Sequence, residues 1–266
     1  MPAHNLLDNS DFRNPVNQRG KTSYSASGYT IDRWRTWDDG TVTINNGYIS
    51  HETPIYQTIG VKLDTSKAYT LAVMNTNNVI TLVSGFINND LWGNGINLAY
   101  NNGDSYFRIY ADEHTKNIVW AALYEGSYDA STLPAYQPKG YAAELAECMR
   151  YFERLGVASS DILGAVAFAK SGAKSVLISI KYQPKRIGSP TISLGDVSKY
   201  RLLLRDAVNA SVFSGAPISS FDDIIVQSPF ASFRVTIPNP LDRDCWVILQ
   251  RADNSDGAYI DVNADL

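Results

Sequence analysis

The sequence predicts an all-β protein, with two β-sandwich domains of jelly-roll-like type joined by a single short α-helix. Three observations predict it. Short runs that alternate apolar and polar residues recur along both halves, clusters of Gly, Asn, Asp and Pro separate them, and only one stretch has a helical period. A length of 266 residues suits two domains near the common size. The boundaries that follow give a sandwich over residues 1–139 and, over 140–266, the linking helix with a distal sandwich.

In chain order, TVTINNGYIS (41–50) sets two alternating runs either side of Asn45-Asn46-Gly47, which is a hairpin signal. IYQTIGV (55–61), AYTLAVMNT (68–76), VITLVSGF (79–86), SYFRIYAD (105–112) and NIVWAALYEG (117–126) continue at sandwich-like spacing. Between them INNDLWGNGINLAYNNG (87–103) is dense in Asn and Gly and reads as a long ordered loop holding Trp92 and Tyr100. SYDASTLPAYQPKG (127–140) lacks any periodic apolar signal and marks a boundary.

The helix follows. In ELAECMRYFERLG (144–156), Leu145, Cys148, Met149, Phe152 and Leu155 recur at steps of three and four. Gly156 suits the residue that stops a helix, and Arg150 and Arg154 complement the negative end of its dipole. The apolar stripe is expected to pack on the distal sandwich or around a threefold axis, because an isolated helix this short is marginal in water. The distal strands are SVLISIKY (175–182), PTISLG (190–195), YRLLLRDA (200–207), DDIIVQS (222–228), ASFRVTIP (231–238) and DCWVILQR (244–251). In ASFRVTIP, Phe233, Val235 and Ile237 share one face and Arg234 and Thr236 the other.

Composition narrows the function. A net charge of −4 leaves no basic surplus, so nucleic-acid binding is not expected. No run reaches the roughly 18 apolar residues of a membrane span, and the N-terminal MPAHNLLDNSDFRN lacks the order of a signal peptide. A chain that stays out of the membrane and is not exported by the usual route is expected. The two cysteines, Cys148 and Cys245, are too few for a disulfide scaffold and read as buried thiols. Sixteen tyrosines and five tryptophans lean toward a recognition surface.

One constellation gives that surface a place. If residues 105–112 and 117–126 form a hairpin, odd positions Phe107, Ile109, Val119, Ala121 and Leu123 face the core. Even positions Tyr106, Arg108, Tyr110, Trp120 and Tyr124 then share the opposite face, with Trp92 on its loop placed to rim it or to plug that loop. Rings to stack on and a guanidinium fork beside them are what a sugar, with flat C–H faces and rims of hydroxyls, requires. The same face equally suits a surface covered by the second domain or another subunit.

Catalytic patterns are weak by comparison. Glycoside hydrolysis needs two carboxylates across a sugar. Asp38-Asp39, Asp112-Glu113 and Asp222-Asp223 are adjacent pairs, whose members point apart on a strand and which turns commonly use. His4, His51 and His114 are scattered, His51-Glu52 does not extend to a zinc motif, and Gly93-Asn94-Gly95 lacks the rest of a nucleotide fingerprint. No nucleophile elbow of the Gly-x-Ser-x-Gly type occurs. No enzyme activity, catalytic residue or cofactor is expected.

Three motifs carry a family resemblance. NLLDNSDFRNPVNQRG (5–20) with YTIDRW (29–34) resembles the opening of carbohydrate-binding-module-like domains of bacteriophage and prophage tail proteins. AELAECMRYFERLG (143–156) resembles a signature that precedes the distal domain of such tail fibres, and GAYIDVNADL (257–266) is similar to their closing strand. The resemblance implies a homotrimeric receptor-binding protein on a virion or phage-tail-like particle. It would be assembled in the bacterial cytoplasm and contact a cell-surface glycan and other tail or baseplate proteins. It also implies that Trp34 packs structurally, leaves Trp37 open, and offers Asn5, Asp8 and Asp11 either as ligands of a structural calcium or as turn and capping residues. Two rival functions remain, a structural tail connector whose aromatic face is a subunit interface and a polysaccharide depolymerase.

Overall fold

The computed structural model describes residues 3–87, 90–101, 104–156, 163, 167–187, 189–208, 212–252 and 258–264. It is nearly all β, with several antiparallel sheets and one α-helix among the described residues. Two compact units divide the chain, Met1–Cys148 and Met149–Leu266, so the helix closes the first unit and does not open the second.

In the first unit the strands are β1 (Ser23–Tyr24), β2 (Gly28–Tyr29), β3 (Arg35–Thr36), β4 (Val42–Asn45), β5 (Tyr48–His51), β6 (Ile55–Thr58), β7 (Ala68–Asn75), β8 (Ile80–Phe86), β9 (Leu91–Gly93), β10 (Ile96–Asn101), β11 (Asp104–Ile109) and β12 (Asn117–Glu125). They form two six-stranded sheets, in the orders β1-β4-β5-β12-β7-β8 and β2-β3-β6-β11-β10-β9. The core joins Leu71, Val73, Ala121 and Leu123 of the first sheet to Ile55, Leu98, Phe107 and Ile109 of the second. Trp34 is wholly buried in that core, edge-on to Phe12 at 5.2 Å and to Phe107 at 6.2 Å. The β4–β5 hairpin forms as expected, Ile44 opposite Ile49, with Gly47 at a positive φ that L side chains rarely adopt.

Three local expectations are corrected. Residues 105–112 and 117–126 do not form a hairpin: β11 pairs with β6 and β10 in the second sheet, while β12 pairs with β5 and β7 in the first. The connection crosses between sheets and is held by Asp112, which accepts hydrogen bonds from the backbone N–H groups of His114 and Thr115. A bulge between Ile118 and Trp120 also shifts the alternation, so Val119 packs with the outer-face residues and Ile118 takes the core.

The Asn/Gly-rich stretch is not a loop throughout. Asn94 and Gly95, both at positive φ, make a two-residue turn between β9 and β10, with Gly93 opposite Ile96. Those dihedrals are what tight hairpins favour, and Asn-Gly is their usual sequence. Residues 88–89 and 102–103 of the stretch lie outside the described residues.

The helix is shorter than its periodicity predicts. It spans α1 (Tyr141–Cys148), and Phe152–Leu155 is instead a strand, β13, paired with β22 (Ile260–Asn263). Aromatic and β-pairing preferences decide the second half of the stretch once a partner strand is available, overriding local helix propensity. The helix therefore buries Glu144 and Cys148, four residues apart, while Leu145 is only half-buried. Its anchor is inside the first unit: Glu144 accepts a 2.6 Å hydrogen bond from the backbone N–H of Asn9. Asn9, at φ 49, ties its side chain to the backbone of Val16 and Asp32, and Trp34 Nε1 donates to the Asn9 carbonyl. Most of the N-terminal motif is thus an internal clip. Gly156 does sit at a positive φ, but it ends a strand.

The remaining strands of the second unit are β14 (Ala167–Ala169), β15 (Ser175–Lys181), β16 (Thr191–Leu194), β17 (Tyr200–Asp206), β18 (Val212–Pro217), β19 (Ser220–Gln227), β20 (Phe230–Thr236) and β21 (Cys245–Arg251). Three sheets form among the described residues, β13-β22-β16, β14-β21-β17-β18 and β15-β20-β19. Ile178, Leu202, Phe233, Val235, Val247, Leu249 and Val262 fill one core between them, and the alternation expected of residues 231–238 holds. Both cysteines are buried free thiols. Of the closing motif, residues 257, 265 and 266 lie outside the described residues.

Candidate functional site

The predicted aromatic face divides between the two sheets. Trp120 and Tyr124 lie on the outer side of the first sheet and are buried there, 5 % and 2 % exposed. The segment read as a boundary covers them: Tyr136 stacks on Trp120 at 4.7 Å and 7°, Tyr128 meets Tyr124 edge-on, and Leu133 packs alongside. These two side chains are structural. Burial also pushes the hydroxyl pKa of Tyr124 up, as expected of a ring enclosed by its own chain.

Tyr106, Arg108, Tyr110 and Trp92 do come together, on the outer face of the second sheet. Pairing register explains why. Tyr29 stands opposite Arg35, Arg35 opposite Tyr56, Tyr56 opposite Arg108, Arg108 opposite Asn97, and Asn97 opposite Trp92. Directly opposed residues point to the same face. One row of side chains therefore crosses all six strands, over about 24 Å at the usual ~4.8 Å strand spacing.

Rings and guanidinium groups alternate over the first four positions of this row, from Tyr29 to Arg108. The Arg35 guanidinium carbon lies 4.7 Å from the Tyr29 ring centre and 5.6 Å from that of Tyr56, and the Arg108 guanidinium lies 5.0 Å from Trp37 and 5.9 Å from Tyr106. Trp37 approaches Tyr56 at 5.6 Å, Tyr56 approaches Tyr106 at 6.2 Å, and Trp92 meets Tyr110 at 4.5 Å. A cavity of about 190 Å³ opens between Trp37, Asp38, Pro54, Tyr56, Arg108 and Tyr110. Trp37 and Trp92 remain 60 % and 55 % exposed at its rim and at the end of the row.

Sequence reasoning missed Tyr29, Arg35, Tyr56 and Asn97 and left Trp37 open. Period-two alternation next to the buried Trp34 and Ile55 does put Arg35 and Tyr56 on an outer face. Which strands lie side by side was the missing knowledge. A larger depression of about 450 Å³ in the second unit lies between Leu204, Gly215–Pro217 and the Pro238–Arg243 loop. It has no ring to stack on, and its Arg243 is engaged by Asp206 and Asp242.

The carboxylate pairs have local partners. Asp39 accepts from the Ser27 N–H, Asp222 from Ser220, and Asp223 pairs with Arg234. Burial alone would push the Asp112 carboxyl up, but the donors of Thr115 and His114 outweigh it and hold it below its ordinary value. Asn5, Asp8 and Asp11 go separate ways: Asn5 to Ser10 and the backbone of Leu7, Ala121 and Leu123, Asp8 to Arg33 and Lys139, Asp11 to Arg13. Among the described residues no three His, Cys, Asp or Glu side chains are grouped to hold a metal ion. No helix among them is long and apolar enough to cross a membrane.

Comparison with protein-family models finds no match, and comparison with curated proteins finds none either.

Proposed function

We propose that the chain recognises carbohydrate without catalysis, through the outer face of the second sheet of its first unit. The row Tyr29-Arg35-Tyr56-Arg108-Asn97-Trp92, with Trp37 and Tyr110 beside it, is the observation that carries this reading. The exposed rings of Trp37 and Trp92 offer apolar platforms for the C–H faces of sugars, the half-buried Arg35 and Arg108 supply donors for hydroxyls, and the buried Tyr56 and Asn97 form the floor of the row. A shallow, open face suits an extended chain of sugars better than a small enclosed metabolite.

The setting proposed for this activity is a phage or prophage tail fibre acting on host-surface glycan, which rests on the order of the three sequence motifs. Weak single-site binding would then be raised by trimeric presentation, since linked sites gain avidity without new contacts. A glycan array probed with the wild-type chain and with Tyr110→Ala tests the reading. Binding by the wild type that the variant loses supports it, and an array without wild-type binding refutes it. If Tyr110→Ala instead changes the mass seen by size exclusion with light scattering, the face is a subunit interface.

A further inference from the structure

We propose that the glycan bound on this face is acidic, a saccharide whose carboxylate, sulfate or phosphate docks against the guanidinium of Arg108. The inference rests on the carbohydrate reading above and adds the charge of the ligand to it.

Three other arginines of the first unit have carboxylate partners: Arg13 pairs with Asp11, Arg19 with Asp32 and Arg33 with Asp8. Arg108 is different. Its Nε is buried and makes no hydrogen bond, and its close contacts are the rings of Trp37 and Tyr106. A guanidinium shielded by rings has given up part of its hydration, and ring faces return only part of that free energy. An anionic group with two oxygens fits the guanidinium fork and supplies both charge and hydrogen bonds.

The surroundings favour an anion. Arg35 stands on the same row, one ring away across Tyr56. Arg108 is the one guanidinium and Asp38 the one carboxylate lining the cavity, and Arg35 adds a second positive group outside it along the row, on a chain whose net charge is −4. Attraction is therefore local, within the Debye length of about 8–10 Å at ordinary salt, and should weaken as salt is added. At about 190 Å³ the cavity is smaller than the roughly 300 Å³ at which drug-sized pockets begin, which suits one charged substituent or ring while the rest of the chain lies along the row.

The test is an array pairing carboxylated, sulfated and phosphorylated glycans with neutral counterparts of the same backbone, followed by titration calorimetry on the strongest pair. The wild type should bind the acidic member at least about tenfold more tightly, as expected for a charge-assisted bidentate contact. Raising salt from low to high should erode that ratio. Arg108→Gln should bring it close to one, and Arg108→Lys should keep part of it, with thermal unfolding of both variants checked against the wild type. If Arg108→Gln fails to fold, the wild-type ratio and its salt dependence still decide. Binding to neutral glycans as tight as to acidic ones overturns this inference and leaves the carbohydrate reading standing. An array without any binding overturns both. Which acidic class is bound identifies the anion.

Discussion

Trp120→Ala separates structure from recognition on the two faces of the first unit. The indole is 5 % exposed and stacked on Tyr136 at 4.7 Å, with Tyr124 and Leu133 in the same cluster. Removing a buried Trp side chain costs about 3–5 kcal/mol through lost transfer free energy and the cavity left behind. Collapse of the covering segment into the space would bring the value toward the lower end. At about 3 °C per kcal/mol for a unit of this size, the midpoint of its thermal transition should fall by roughly 10–15 °C. Glycan affinity measured well below the transition should stay within about threefold of the wild type, because Trp120 is on the first sheet and the aromatic row on the second. Scanning calorimetry with titration calorimetry reads both quantities. A variant that keeps its transition temperature and loses binding would refute the assignment of Trp120 to the interior.

Other perturbations test separate parts of the argument. Trp37→Ala, at a site 60 % exposed, should move the transition little while weakening glycan binding about 30-fold, the size of a hot-spot loss near 2 kcal/mol; unchanged affinity by calorimetry would remove Trp37 from the site. Glu144→Ala leaves the buried Asn9 N–H without its acceptor and should cost about 1–3 kcal/mol in urea unfolding. Burial raises the Glu144 carboxyl above its ordinary value, so its contribution is fully present below the unfolded pKa and is lost as pH rises through the folded one. Glu144→Gln should therefore gain stability relative to wild type between pH 4 and pH 7, and a gain that shrinks over that range contradicts the assignment. In the second unit the Lys185 side chain, fully buried, places its Nζ 2.6 Å from both Glu153 and the Met149 carbonyl. Lys185→Met should cost about 3–5 kcal/mol, and the double variant with Glu153→Leu less, by urea titration.

How much was legible in the sequence varies by length scale. Alternation in residues 105–109 correctly separated Phe107 and Ile109 from Tyr106 and Arg108, because side-chain direction along one strand depends only on backbone pleat. It failed at Val119, where a bulge inserts an extra residue, and in 144–156, where helical spacing in Cys148, Phe152 and Leu155 continued across a change from helix to strand. Asn94-Gly95 carries a hairpin signal in the sequence, and the pairing of Gly93 with Ile96 realises it. Tyr128, Leu133 and Tyr136 carried no period because they cover a sheet as an irregular strap, and period is a property of regular elements alone.

The sequence by itself determined the all-β class, most strand positions, the buried state of the thiols, and the outward side of Tyr106 and Arg108. These follow from pleat, turn chemistry and the cost of exposing apolar surface, all of which act locally. Only the tertiary structure decided that β11 and β12 belong to opposite sheets, that Trp120 and Tyr124 are roofed by the chain, and that Tyr29, Arg35, Tyr56, Asn97 and Trp92 line up with Arg108. Strand neighbours are chosen by burying two sheets against each other, a balance struck over the whole unit, so residues as far apart as Tyr29 and Arg108 meet on one row without any local mark of it.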